Sequence, residues 1–469
     1  MIGIWHPQEA VFDEVHFGKF ISGYFTGEYF FDIHPPLGKL AVAGVAKIAG
    51  FTPGFDFLKI GEEYPNHQYI WLRFLPAFFG SLLAPLIYLL TLRISRNKRA
   101  ARMAGFFIMF ENALLVQSKF ILMDSFLLFF GFAALYFFLE SNIFFPKGKW
   151  GMGSCILAAI CAGLAISVKW TALSFLALML IFSFIPLIYK ISADLFAKGK
   201  KHEIEKKEIR RICGGFVFLL IIPAVLYTSF FILHFFLLQK TGPGNAYMSG
   251  RFQQSQAAHF PVRDFPANFF ELNAEMFRAN QRITVTHSYS SQWYTWPFML
   301  RPVYYWNKDI ADGHTMWYEK IYLIGNPFVW WISTITVIYF FVRSMWYGCK
   351  ASFLWLKKIK QRNGTIDNKK PVYDVGSFFL GSAYLSNLLP FIFIGRVMFL
   401  YHYLTALVFA IIIMAVMMSM RSSPPKFVLY SLVIGTLIGF FVIFPISYGT
   451  ILPGAIPWPR SIFWLKSWI

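Results

Sequence analysis

Thirty residues beginning at Val11, VFDEVHFGKFISGYFTGEYFFDIHPPLGKL, hold the adjacent acids Asp13 and Glu14, the histidines His16 and His34, and the lysines Lys19 and Lys39. Adjacent residues of a helix point about 100° apart. The two acids are therefore suited to separate tasks, one facing a substrate and the other holding a cation. The same pair also reads as an N-cap and a first-turn acid of a helix over 15–25. Six further charges lie in or at the ends of apolar runs: Arg73, Glu111, Lys119, Asp124, Lys169 and Arg396. Charges there are costly and usually functional. Together they point to one polar cavity with cations at its rim, a composition that suits an anionic headgroup such as a lipid phosphate.

Three motifs extend this set. In HPPLGK, Lys39 reads either as a phosphate ligand or as a snorkelling lysine at a helix start. In RVMFLYHYL, His402 and Tyr403 follow Arg396 closely and share either its polar site or the membrane interface. HSYSSQWYTWP, with His287, Ser290, Trp293 and Trp296, can cover a sugar by ring stacking, or it can form an interfacial aromatic belt. Local pattern alone favours the belt.

The elements that must position these groups are membrane helices. The chain of 469 residues is 57% hydrophobic and 20% aromatic, with only 14% charged residues, against about a quarter charged in a soluble domain. Mean hydropathy is +0.53. The net charge of +20 does not indicate nucleic acid, because the Lys and Arg concentrate in connectors between apolar runs. Spans need about 20 apolar residues. Ten apolar runs are available, near 68–92, 102–118, 120–141, 151–168, 171–190, 213–237, 327–347, 375–394, 400–419 and 427–447.

Every second connector is basic. Arg93 to Arg102, Lys147 and Lys149, Lys198 to Arg211, Lys350 to Lys360, and Arg421 with Lys426 would face the cytoplasm. This divides the chain into a first outer segment (1–67), an N-terminal bundle of about six spans (68–237), a second outer segment (238–326) and a C-terminal region of about four spans (327–469). Within the first outer segment, helical spacing over Phe17–Phe25 and over 36–49 predicts two short helices at the membrane surface. Residues 1–12 have no apolar core of a cleavable signal peptide. Cys155, Cys161, Cys213 and Cys349 form no Cys-x-x-Cys pair and read as small apolar residues. No internal repeat and no low-complexity segment is evident.

The stretches FDEVHFGKF, FFDIHPPLGKL, NALLVQSKFILMDSFLLFF, SVKWTAL, HSYSSQWYTWP and RVMFLYHYL, in this order, resemble the protein O-mannosyltransferases. That resemblance runs through nearly the whole chain. It implies an all-α, polytopic GT-C fold and inverting transfer of mannose from polyprenyl-phosphate mannose to Ser or Thr of a translocated polypeptide. Asp13 matches the acid proposed as catalytic base, Glu14 its essential neighbour, and Arg73 the family arginine of the first span after that loop.

The expected donor-binding set is Lys39, Arg73, Lys119, Asp124, Arg396, His402 and Tyr403. His34, His287, Ser290, Trp293 and Trp296 are expected at the acceptor or sugar. Arg396, Lys39 and Lys119 would stabilise charge on the departing phosphate. Glu14 would orient the loop by pairing with Arg73. No Asp-x-Asp motif stands in the first outer segment, so no metal or other cofactor is expected.

Partners implied are the mannosyl lipid, a secreted acceptor polypeptide, membrane lipid and the translocation machinery, with a site facing outward from the cell membrane. Three departures from the family pattern stand out. Relatives usually carry a span before the Asp-Glu loop. The long outer segment is too short for the sugar-binding-like MIR domain of eukaryotic members, as in the shorter bacterial or archaeal type. Lys119 stands where arginine is common, which loses the fork geometry. Two other readings compete: a GT-C enzyme moving a different lipid-linked sugar onto a lipid A-like acceptor, and a non-catalytic transporter or scaffold.

Overall fold

The computed structural model describes residues 3–141, 151–196, 206–284, 286–312, 315–360, 375–420, 425–453 and 464–468. Of the basic connectors, Lys147, Lys149, Lys198, Lys200, Lys201 and Arg421 lie outside the described residues.

The chain opens with α1 (Glu14–Thr26) and α2 (Leu37–Ile48). Gly27 ends α1 in the left-handed conformation (φ 77°) and returns its N–H to the Gly23 carbonyl at 2.8 Å, a residue type that adopts this φ without Cβ strain. The N-terminal bundle follows: α3 (Tyr69–Ser95), α4 (Lys98–Met109), α5 (Asn112–Lys119), α6 (Asp124–Glu140), α7 (Gly151–Ile166), α8 (Leu173–Phe196) and α9 (Lys206–Leu237). Two shorter helices, α10 (Gly250–Ala257) and α11 (Phe265–Arg282), precede a hairpin of β1 (Val303–Asp312) and β2 (Thr315–Leu323). Then come α12 (Pro327–Lys360), α13 (Val375–Ser386), α14 (Leu404–Met417), α15 (Lys426–Tyr448) and β3 (Leu452–Pro453).

The molecule is a multi-pass membrane protein, and the expected ten spans are fewer in the structure. Among the described residues six helices are long and apolar enough to cross a membrane, or seven if α5 and α6 count as one bent span. The reasons are local. The 102–118 run is interrupted at Phe110–Glu111, where the Glu111 carboxylate accepts the Ala113 N–H at 3.2 Å and starts a new helix. The 120–141 run yields a helix of 17 residues, α6, set at 117° to α5. The 151–168 run yields a helix of only 16 residues. For the 171–190 run, the described apolar stretch Trp170–Ile185 also falls short of a span.

Helix α14 sits at the centre, with every side chain from Leu404 to Ala415 buried. Helices α9, α12 and α15 instead turn apolar stripes outward: Val217, Ile221 and Val225; Ile335, Ile338 and Val342; Ile434, Ile438 and Phe441. In a bilayer such faces meet lipid, while the backbone satisfies itself inside each helix.

The antiparallel sheet β1–β2–β3 departs from an all-helical expectation. Its segments VYYW and MWYEKIYL are rich in aromatic and β-branched residues, the composition of strands, although they also read as an aromatic outer loop. The sheet docks on the N-terminal segment. Trp306 Nε1 and Lys308 Nζ both donate to Glu9, at 2.7 and 2.5 Å, and the Phe12 N–H donates to the Tyr305 carbonyl at 3.2 Å. The loop between α1 and α2 is pinned from the other side. Gly244 lies so close to the backbone at Phe30 and Phe31 that a Cβ there would come within 2.5 Å of it.

Candidate active site

Glu14 is the anchor of the first segment. Its carboxylate is fully buried and accepts five hydrogen bonds. Arg73 Nε and Nη2 donate at 2.7 Å each, Val11 N at 2.9 Å, Ile121 N at 3.0 Å and Tyr64 Oη at 3.2 Å. Arg73 has no exposed side-chain surface, and its remaining donors go to the carbonyls of Ile4, Pro7 and Glu9. A buried charge pair of this kind is tolerated only when nearly every polar atom is satisfied, and here it closes the 3–14 segment onto α3 and the α5–α6 break.

With Glu14 turned inward, its neighbour points elsewhere. Asp13 occupies the N-cap position of α1, but its side chain makes no capping bond. It lines a cavity of about 610 Å³ instead. Burial is the main cause that pushes its pKa up to about 6, with Asp124 and Asp32 adding to the rise and His16 and Lys169 opposing it.

The cavity is walled by the ends of α1, α6, α8, α11 and α14 and by the loop before α2. Asp13, His34, Gln117, Asp124, Lys169, Asn280, Asn387, Arg396, Tyr401 and His402 supply its polar and aromatic lining, and Leu127, Leu128, Leu173, Pro390, Phe391 and Ile394 much of its apolar side. An enclosure with an apolar flank and a few convergent polar groups is the usual form of a small-molecule or cofactor site.

The cations differ in how they are compensated. Lys169 Nζ lies 2.7 Å from Asp124 Oδ1, and Asp124 Oδ2 accepts from Gln117 Nε2 at 2.6 Å. Gln117 is held in turn by Tyr305 Oη at 2.5 Å. Arg396 touches no carboxylate among the described residues. Its Nη1 donates to Asn280 Oδ1 at 2.5 Å, and its Nη2 lies 3.0 Å from His402 Nε2. A guanidinium can only donate, so Nε2 must accept. The His402 proton then sits on Nδ1, 2.9 Å from the Phe399 carbonyl. Both neighbours of Arg396 are thus neutral, and its positive charge is left facing the cavity. His34 is held well below its ordinary pKa, chiefly by burial and then by the positive charges of Lys169 and Lys39, so it adds no charge there.

Of the expected residues, the structure brings the catalytic candidate Asp13, the donor candidates Asp124, Arg396 and His402 and the acceptor candidate His34 to this cavity, together with Lys169. It places the others away from it. Lys39 is buried and folds back on its own loop, paired with Asp32 and donating to the His34 and Pro35 carbonyls at 2.9 and 3.2 Å. Arg73 is consumed by Glu14. Lys119 is buried behind the site, with Nζ 4.2 Å from the centre of the Tyr448 ring and no hydrogen-bond partner among the described residues. Tyr403 is buried and meets the Tyr384 hydroxyl at 3.2 Å.

The HSYSSQWYTWP motif lines no part of the cavity. Trp296 is buried and stacks on the His402 ring, with centroids 5.8 Å apart. His287 packs on Phe399 and Trp293 on Tyr294, and the Ser290 N–H closes a turn on the His287 carbonyl. The motif supports His402 and does not border the cavity itself. Asp32, Gln117 and Asn280 are not among the residues expected from the sequence. Asp32 had a signal, an acid seven residues before Lys39; the two amides had none, since a neutral side chain in an amphipathic stretch looks like any surface residue.

A family model described as dolichyl-phosphate-mannose-protein mannosyltransferase matches residues 1–239. A second, for the C-terminal four TMM region of protein-O-mannosyltransferase, matches residues 265–468. Protein O-mannosyltransferase 1 of Drosophila melanogaster is 37% identical over 254 residues, covering 53% of this chain and 27% of the relative. Dolichyl-phosphate-mannose–protein mannosyltransferase 1 of Saccharomyces cerevisiae is 36% identical over 258 residues, covering 54% of this chain and 30% of the relative. The match to these two curated relatives thus spans under a third of their own length. A solved structure of the S. cerevisiae protein O-mannosyltransferase Pmt1-Pmt2 complex bound to the sugar donor superposes with a TM-score of 0.82 at 20% identity, covering 100% of this chain and 90% of that one. The fold is of the GT-C type, and the chain belongs to the dolichyl-phosphate-mannose-protein mannosyltransferase family.

Proposed function

We propose that this protein transfers mannose from a polyprenyl-phosphate mannose to Ser or Thr hydroxyls of translocated polypeptides, with inversion at the anomeric carbon. Family membership supports the donor and acceptor classes. One observation carries the mechanism: a single cavity is lined both by Asp13, an acid that makes no capping bond, and by Arg396, a guanidinium that touches no carboxylate among the described residues.

Asp13 is the general base. It takes the acceptor hydroxyl proton as the new bond forms, so its only modestly raised pKa is sufficient. Arg396 holds the lipid phosphate and stabilises the charge left on it when the glycosidic bond breaks. Phosphate is a good leaving group, so the site needs alignment more than acid catalysis, and alignment can contribute several kcal/mol. Lys169 lies in the same cavity but is bridged to Asp124, so the phosphate charge falls mainly to Arg396. Glu14 and Arg73 hold Asp13 in place from behind.

The apolar flank of Leu127, Leu173, Pro390 and Ile394 suits the first isoprene units of the donor. In this function the cavity faces the outer leaflet of the cell membrane, Arg396 stabilises the charge and no metal is required. The test is mass spectrometry of a Ser/Thr peptide after incubation with the purified protein and mannosyl lipid. A mass increase of one hexose on the hydroxyl residue is expected. An unmodified peptide alongside a glycosylated lipid acceptor would replace this reading with a lipid-directed GT-C activity.

A further inference from the structure

We propose that Asn280 is a positioning residue for the donor phosphate: its amide fixes Arg396 while leaving the arginine charge uncompensated. The proposal rests on the reading of the cavity as the lipid-phosphate site, and it deepens that reading by naming what orients the phosphate ligand.

The buried and half-buried cations differ in their partners. Lys169 has Asp124, Lys39 has Asp32 and Arg73 has Glu14. Each pair is close to neutral as a unit and offers little to a third charge. Lys119 also meets no carboxylate among the described residues, but it lies off the cavity against the Tyr448 ring; Arg396 lines the cavity, and its two partners, Asn280 Oδ1 and His402 Nε2, are uncharged acceptors. A long guanidinium side chain at a cavity wall has several rotamers open to it, and fixing one costs rotamer entropy. Two neutral acceptors fix it before any ligand arrives and keep its full positive charge. A carboxylate at the same place would fix it equally well, but it would cancel most of the field that an incoming phosphate feels.

Asn280 is also suited to this place by its other half. Its Nδ2 donates to the Ile33 carbonyl at 3.0 Å and to the Met276 carbonyl at 3.1 Å. Ile33 lies between Asp32 and His34, so one amide ties α11 both to the loop before α2 and to the loop before α14. An amide alone among the small side chains supplies one acceptor and two donors in this geometry. Aspartate would set an oxygen against the Ile33 carbonyl, and leucine would leave Arg396 and Ile33 without partners.

The test uses the full chain in detergent, with polyprenyl phosphate as the binding probe and mannose transfer measured in parallel. Asn280→Ala is expected to weaken polyprenyl-phosphate binding about tenfold, the usual scale for one hydrogen bond to a charged group. It raises the donor KM by the same factor and changes kcat by less than about twofold. Asn280→Asp keeps an acceptor for Arg396 but sets a negative charge against it, so it should bind polyprenyl phosphate no better than the alanine variant. Binding as tight as in the unaltered protein would overturn the proposal.

A double-mutant cycle supplies the second arm. In an Arg396→Ala background, Asn280→Ala should cost less than about twofold more. A further tenfold loss there shows that Asn280 does not act through Arg396 and overturns the proposal. If the unaltered protein binds polyprenyl phosphate but transfers no mannose, the proposed function fails, and the binding order of the variants still decides the role of Asn280.

Discussion

Arg73 Nε and Nη2 each lie 2.7 Å from a different carboxylate oxygen of Glu14, and both side chains are wholly buried. This forked contact explains how two adjacent acids take different roles. Glu14 is drawn inward by a guanidinium and by the N–H groups of Val11 and Ile121, and the helical turn then leaves Asp13 on the cavity side.

Glu14→Ala should therefore act on stability first. It leaves Arg73 as an unpaired buried charge, for which about 3–5 kcal/mol is typical. A marked drop in the detergent unfolding midpoint is expected. Arg73→Lys should also destabilise, because an ammonium cannot meet both oxygens. A Glu14→Ala midpoint equal to that of the unaltered protein would show that the pair holds nothing together.

Asp13→Asn should have the opposite profile. Transfer falls by roughly 10²–10⁴-fold, the range for loss of a general base, while donor binding stays within a few fold. Folding should become easier at neutral pH. A carboxyl raised from 3.8 to about 6 favours the folded state only when protonated, so its charged form costs up to about 3 kcal/mol above pH 6. The stabilising effect of Asp13→Asn should fade as pH falls through 6 and vanish below about pH 4. Unimpaired peptide mannosylation by this variant would remove Asp13 from the mechanism.

The rate of transfer should rise with pH through about 6 and level off above it, since the base must be ionised. Lys169 favours the ionised form of Asp13 and Asp124 opposes it. Lys169→Met should therefore move the acid limb of kcat/KM to higher pH, and Asp124→Asn should move it lower. Coincident limbs in all three proteins would mean that another group sets the profile.

Arg396→Ala should weaken donor binding by about 10–100-fold, the scale of a charge-assisted contact, with little effect on the unfolding midpoint because no carboxylate is left unpaired. Titration with polyprenyl phosphate measures this directly. An unchanged affinity would count against its phosphate role.

Exhaustive treatment with a chelator should leave transfer intact, since Arg396 takes the place of a metal in the proposed mechanism. Loss of activity that is restored by a divalent ion would reverse that part of it.

Much of the fold is legible in the sequence because apolar runs of Phe, Leu and Ile have few other places to go. The span count is less legible. A run such as 102–118 contains Glu111 as a single acid among apolar residues, and nothing nearby in the chain shows that it caps a new helix and also accepts the distant Asn326 N–H at 3.0 Å. In the site, charge in an apolar context marks Asp13, Glu14, Arg73, Asp124 and Arg396 as residues of interest. It does not say which way each one turns. Lys39 and Lys119 carry the same signal as Arg396, yet Lys39 turns to Asp32 and Lys119 to the Tyr448 ring. The deciding counter-groups are close in space, and only Asp32 is close in sequence. Asn280 is silent for a further reason: its value lies in being uncharged, and absence of charge leaves no mark in composition.

The 117° corner between α5 and α6 has a further consequence. The Ile121 N–H that reaches Glu14 sits on this corner, and Asp124 opens the helix beyond it. Four residues thus act as a shared hinge pin for the Glu14 anchor and the cavity lining. Adding or deleting one residue here would swing the whole following helix by about 100° about its axis. The acid would be carried off the cavity even though every membrane-facing surface kept its greasy character, so this corner should tolerate changes of side chain far better than changes of length.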